Sequence, residues 1–418
     1  MGGISVNPFG VANIFSRFLA GLESETIHLA AGVASEPEPI PFSHAATHSH
    51  HPWPDVTRDA VLQAWDDAAM RLDLKWGHIF GKVIPEAQGH IARHLELDHP
   101  ERVVFSPNTH EMVVRLFSCF FRKIGVGDPI RILTTDSEYH SAMWQFSRWS
   151  ELPYVEVVRV PVEPFDTFEA RFKAEAGHCR WDMVYLSQVF FNCGFLISDL
   201  KGLVDAFDDP STMVVIDGYH GFMAKPTSLK SIQDRVFYLA GGYKYAMAGE
   251  GACFLYAPTH CPWDPFDVGW FGLFQCLQSG LPFGQPMNLG DSANKFWGAT
   301  FDPTGLYRFN AVMRLLEEKG MTVARMDEYV RELQEYFLGQ LARDPISWLT
   351  DLITPRDLSR AGHFLTYRLD DAPEKEAALL RQKVMVDSRS HAMRFGFGIY
   401  QDQAMIDLVL ERARRIPV

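Results

Sequence analysis

From residue 102 the sequence alternates between short apolar runs and amphipathic stretches, and this alternation restricts the fold more than any other feature. RVVFS, IRILTT, VEVVRV, DMVYLSQVF, TMVVID, RVFYLAG and GACFLYAP read as strands. HEMVVRLFSCFFRK, SAMWQFSRW, FEARFKAEAG and DLKGLVDAF read as helices between them. The strand runs are apolar without a period of two, which suits a sheet covered on both faces. The spacing therefore predicts an α/β fold: a mostly parallel sheet of the seven-stranded type with helices packed over it. In such sheets ligands sit at the carboxyl ends of the strands.

The flanks read differently. Residues 26 to 58 are loop-like, with prolines at 37, 39, 41, 52 and 54. Helical patterns follow over Val56 to Leu72 and Pro85 to Leu97. Beyond residue 305, LYRFNAVMRLLEEKG and VARMDEYVRELQEYFLGQL are long amphipathic helices. HFLTYRL and HAMRFGF are strand-like, and a last helix falls near 402–415. The chain thus divides into an N-terminal segment (1–58), a large domain (59–305) and a smaller α+β C-terminal domain (306–418), against which the N-terminal segment is expected to pack.

Charge and cysteine usage narrow the function. With 39 basic and 52 acidic side chains the net charge is −13, which argues against a nucleic-acid surface. The six cysteines (Cys119, Cys179, Cys193, Cys253, Cys261, Cys276) show no CxxC spacing, so a disulfide framework is not expected and a reducing, cytoplasmic setting is. MGGISV fits a myristoylation pattern only loosely, and no signal peptide or apolar run of about 18 residues is read.

The polar residues just past the strands form a set. Thr109 and His110 begin the helix after RVVFS, where free N–H groups favour an anion; taken alone, an ordinary N-cap is the commoner reason for such residues. Tyr139 and His140 follow IRILTT, placed either against a flat ligand or in packing under a loop. Asp217 closes TMVVID and His220 follows it. A carboxylate ending an apolar strand needs a partner, a protonated ring nitrogen or a turn. Tyr243 and Lys244 follow RVFYLAGG, and a lysine walled in by aromatic and apolar residues is costly as an ammonium.

Taken together, this order resembles the fold-type I pyridoxal-phosphate enzymes, within them the class V aminotransferase group, and nearest the kynureninase-like branch. DGYH, GGYKY before a Gly-rich turn, GWFG (Gly269 to Gly272) and MRFGFGIY (Met393 to Tyr400) carry the resemblance. It implies pyridoxal 5'-phosphate as cofactor, with Lys244 forming the Schiff base to the pyridoxal aldehyde and Asp217 holding the pyridine nitrogen protonated. It also implies His220 near that Asp or the ring oxygen, Tyr139 on the ring face, and Thr109, His110 and Tyr243 at the phosphate. Trp270 and Thr300 would reach the phosphate from the second subunit of a homodimer, and Arg394 would clamp a substrate α-carboxylate.

The sequence departs from the family at four places: Tyr139 where a histidine is frequent, His110 where a small hydroxyl is usual, one extra residue in WGATFDP, and HLAAGVAS with THSHHPWPD in place of the N-terminal family motif. His51 and Trp53 of that last segment are expected to line the substrate pocket. The alternative for its His48, His50 and His51 is a metal site, disfavoured because adjacent histidines face one metal poorly and no CxxC or HExxH accompanies them. No cysteine follows Cys276, so a desulfurase using a C-terminal-domain cysteine is not expected. The resemblance implies hydrolytic or eliminative cleavage of an amino-acid side chain. Transamination or epimerisation uses the same Lys–Asp pair, and a cofactor-free scaffold on this fold is the contrasting reading.

Overall fold

The computed structural model describes residues 7–24, 42–276, 284 and 287–417. The MGGISV and HLAAGVAS segments and prolines 37, 39 and 41 lie outside the described residues, as does the side chain of Cys276.

Each apolar run read from the sequence becomes a strand of one seven-stranded sheet. These are β1 (Val103–Ser106), β2 (Ile130–Thr135), β3 (Val155–Val160), β4 (Met183–Ser187), β5 (Met213–Asp217), β6 (Val236–Gly241) and β7 (Cys253–Tyr256), in the order β1-β7-β6-β5-β4-β2-β3. Only β7 runs against its neighbours, pairing antiparallel with both β1 and β6. Val214, Val215, Phe237 and Leu239 are wholly buried, as continuous apolar strands covered on both faces should be. The helices of the large domain include α1 (Val56–Arg71), α2 (Ile84–Leu95), α3 (Thr109–Ser118), α4 (His140–Trp149) and α5 (Phe165–Ala176), of which α2 to α5 pack against strands of the sheet. The stretch DLKGLVDAF keeps only a short helix, Leu200–Val204, capped by the Asp199 side chain.

Two long helices, α6 (Thr304–Glu318) and α7 (Val323–Arg343), lead into the small C-terminal domain. Tyr307 on α6 donates to the buried Asp67 carboxylate of α1 at 3.0 Å, tying the two helices together. The small domain holds an antiparallel sheet ordered β9-β10-β8, from β8 (Phe364–Arg368), β9 (Asp387–Arg389) and β10 (Ala392–Gly396), flanked by α8 (Ala372–Arg381) and α9 (Gln403–Arg414). Sequence patterning misses β9, because its three residues, Asp-Ser-Arg, have no apolar signal.

The N-terminal segment is stitched to this domain. Ser43–His44 pairs in parallel with Val384–Met385. Gly396 donates its N–H to the Ala45 carbonyl at 2.7 Å. A side chain at 396 would bring its Cβ to 2.5 Å from the His48 ring, so glycine lets β10 and the segment touch. Residues 45–53 are thereby held over the carboxyl ends of β5 and β6.

Candidate active site

The residues past the strand ends converge on one cavity of about 430 Å³. Thr109 and His110, Tyr139, Asp217 and His220, and Tyr243 and Lys244 all line it. These seven come from four separate strand ends, and the parallel sheet brings them to one rim.

Lys244 is 5% exposed. Its Nζ donates to the His48 carbonyl at 2.9 Å and lies 2.8 Å from His220 Nε2. The rings of Tyr139, Tyr219 and Tyr243 stand around it, with Nζ 5.7–5.9 Å from each centroid. Burial, assisted by the positive charge of Arg394, pulls the amine down to about 7. The same burial keeps His220 neutral, well below the ordinary histidine range, and Lys244 adds to the effect. The Nδ1 of His220 is buried with no protein partner.

Across the cavity, Asp217 accepts from the Tyr185 hydroxyl at 2.7 Å and from the Tyr219 N–H at 2.9 Å. Burial raises its pKa, and those two donors oppose the rise. Tyr219 in turn lies against the Cys253 sulfur at 3.2 Å, and burial pushes that thiol up to about 11. At the third corner Asn108 caps α3, accepting from the Glu111 N–H at 3.0 Å. The Thr109 N–H points to the Cys253 sulfur, and the His110 N–H belongs to the first turn of this electropositive helix end.

Two buried groups escape sequence reasoning. Tyr185 lies mid-strand, where a tyrosine reads as another apolar residue. Glu138 accepts from Thr135 at 2.6 Å and from the Ser187 hydroxyl and N–H, and burial pushes it up to about 8. Neither could be found without knowing that β4 lies between β5 and β2.

Other expected residues lie elsewhere. Arg394 sits behind the cavity wall, 2% exposed, under the Phe191 ring and paired with Asp387. His51 and Trp53 do not line the cavity. His51 is turned away by its contact with the Pro52 carbonyl and packs between Phe15 and Tyr400; Trp53 packs beside Gly249 under the Arg308 guanidinium. The segment reaches the site instead through the His48 carbonyl and the His50 ring, 5.6 Å from that of Tyr243. Trp270 and Thr300 are joined by a 3.0 Å hydrogen bond on an exposed face, outside this chain's own cavity. Among the described residues, no three His, Cys, Asp or Glu side chains gather as metal ligands. No helix among them is long and apolar enough to cross a membrane.

A buried lysine whose amine is lowered to about 7, a carboxylate in the same cavity, a neutral histidine with an unpartnered ring nitrogen and a helix N-terminus fit the amine-reactive aldehyde, basic ring nitrogen, ring oxygen and phosphate of pyridoxal phosphate. Comparison with known proteins agrees with that fit. Solved structures with the same fold include a mutant of C-DES with glycine covalently linked to its PLP cofactor, at 15% identity and TM-score 0.74, covering 90% of this chain and 97% of that one. They also include a complex of the cystine C-S lyase C-DES with its product cysteine persulfide (15%, 0.73, 90% and 98%) and the apo cysteine desulfurase of Thermococcus onnurineus NA1 (15%, 0.72, 89% and 94%). No curated protein matches the sequence. The model of the family described as aminotransferase class-V matches residues 58–409, from α1 into α9, and the chain belongs to that family of pyridoxal-phosphate-dependent enzymes.

Proposed function

We propose that the chain cleaves a side-chain bond of an amino-acid substrate, by hydrolysis or elimination, with Lys244 as the residue that attaches the cofactor. The observation that carries this reading is the pairing of Lys244 and Asp217 across one cavity, with Lys244 held near neutrality. When bound, pyridoxal phosphate supplies the electron sink that stabilises negative charge developing on the substrate.

The chain's own residues do the rest. Lys244, with an amine near 7, can give up and take back a proton at Nζ around neutral pH. The His48 carbonyl and His220 Nε2 fix where Nζ points. Asp217, supported by Tyr185, offers a carboxylate to a protonated ring nitrogen. Tyr139 flanks the ring, and Thr109, His110 and Tyr243 take the phosphate. A second copy of the chain completes the site by bringing Trp270 and Thr300 to that phosphate. The exposed apolar face of α1 and of residues 270–274 supports such a homodimer.

A cleavage reaction is favoured over transamination by the kynureninase-like motifs around Lys244. Eliminative C–S cleavage is the second reading, supported by the described activity of C-DES. The test is a screen of amino acids, with kynurenines, cysteine and cystine included, for shifts in the visible absorbance of the bound cofactor and for released keto acid or sulfide. Cofactor attachment is tested separately: Lys244→Ala should lose covalent label after borohydride reduction and peptide mapping, and turnover should fall ~10²–10⁴-fold. Label on a different lysine refutes the assignment.

A further inference from the structure

Arg394 has no open path to the cavity as the chain stands. Its Nη2 pairs with Asp387, directly opposite it across β9 and β10. Its Nη1 donates to the Phe191 carbonyl at 2.8 Å, and the Phe191 ring lies 4.3 Å from the guanidinium carbon. Phe191 itself lines the cavity, so one aromatic ring separates the guanidinium from the ligand space.

Both members of the pair have somewhere else to go. Asp387 also forms an ion pair with Arg389 at 2.6 Å and lies 3.3 Å from His48 Nε2. Arg394 keeps one buried donor, Nε, without any partner. Breaking a buried ion pair is costly chiefly because it strands a charge. Here Asp387 would retain Arg389, and Arg394 would be satisfied by any carboxylate that took its place.

We propose that Asp387 is an internal stand-in for the substrate carboxylate: binding exchanges the Arg394–Asp387 pair for an Arg394–substrate pair, with Phe191 moving aside as the exchange occurs. Asp387 and Phe191 are then specificity determinants. A ligand must carry an anionic group strong enough to displace a fixed carboxylate, and neutral amines gain nothing from Arg394. The inference rests on Arg394 being the carboxylate clamp.

The test uses the cofactor-loaded enzyme, with glycine and glycinamide as probes that differ in the carboxylate alone. Their dissociation constants are read from the visible absorbance of the bound cofactor. Taking the glycinamide-to-glycine ratio cancels any effect of Asp387 on Lys244. Asp387→Asn should raise that ratio about tenfold, since a charge-assisted hydrogen bond no longer competes. An unchanged or lowered ratio overturns the exchange. Arg394→Ala should abolish the preference for glycine; if the preference survives, the clamp itself is wrong and the exchange falls with it. If Arg394→Ala abolishes it while Asp387→Asn changes nothing, the clamp stands and only the exchange fails. Should Asp387→Asn not fold, a crystal structure of the wild-type enzyme with glycine decides the matter. Asp387 released from Arg394 supports the exchange, and Asp387 still paired with it refutes it.

Discussion

At the scale of single residues, the charge on Asp217 depends on its neighbours. Burial favours the protonated acid, and the Tyr185 hydroxyl and Tyr219 N–H pull it back towards the carboxylate. Tyr185→Phe removes one of these donors, so the pKa of Asp217 must rise further. With less carboxylate opposite the ring nitrogen, cofactor affinity should drop roughly 10–100-fold, the worth of a hydrogen bond to a charged group. The drop should deepen as pH falls and Asp217 takes up its proton. Titrating the apo-protein with pyridoxal phosphate at several pH values measures both effects; equal affinities would mean Tyr185 only fills space. The contrast with Lys244 and Asp217 shows what a sequence discloses. A lysine or an aspartate at the end of an apolar run is conspicuous because its burial is costly. Tyr185 blends into its strand, and Arg394 stands out only through the family resemblance, as a carboxylate clamp and not as an arginine already paired, because Asp387 faces it across a hairpin that leaves no apolar trace.

At the scale of elements, the segment from His44 to Pro54 fastens the small domain to the site. Three of its histidines are buried and neutral. Burial lowers His44 and His48 to about 3 and His51 to about 4, from 6.5. Repulsion between rings that would otherwise share protons adds to this for His44, against His51 and His50, and the Arg394 charge adds to it for His48, against the pull of Asp387. The folded-state values lie below the unfolded one, so the released segment binds protons that the docked segment refuses. Docking is therefore fully stable above about pH 6.5 and weakens as pH falls towards 4. Near pH 5 the linkage cost is about 2 kcal/mol for each histidine. Hydrogen exchange should show residues 42–55 losing protection on acidification before β4, β5 and β6 do. Exchange that stays equally slow there, after correction for intrinsic rates, would contradict this. Because the His48 carbonyl holds Lys244, the acid limb of activity should track the loss of protection.

The scale of the whole molecule is where local patterning had least to offer. Strands and helices were visible as runs, but their order in the sheet was not. The reversal of β7, and the return of residues 43–44 to pair with 384–385, join segments far apart in the chain, and no periodicity records such pairings. Surface chemistry at this scale is equally long-range. On α1, the face turned from α6 exposes Leu62, Trp65 and Met70, with Trp65 69% exposed, and Leu72 and Leu74 continue it. Trp76 and Phe80 then meet Phe271 and Phe274, beside the exposed Trp270. Exposed apolar patches are used as interfaces, and the proposed homodimer would bury this one.

If that surface joins two copies, Trp270 and Thr300 are donated to the neighbour's phosphate, and oligomerisation and cofactor binding become one equilibrium. Trp65→Glu places a charge in the middle of the face and should weaken the dimer about 30-fold or more, as loss of a central tryptophan does. Sedimentation at decreasing protein concentration measures that shift. Cofactor occupancy, followed by absorbance in the same cells, should fall over the same concentration range, although Trp65 touches no part of the cavity. Trp270→Ala should separate the two effects, lowering cofactor affinity while leaving more dimer than Trp65→Glu does. A Trp65→Glu protein that sediments as a monomer and still holds its cofactor as tightly as the parent would show that each chain builds its site alone. The 3.0 Å hydrogen bond between Trp270 and Thr300 would then be a surface contact and nothing more.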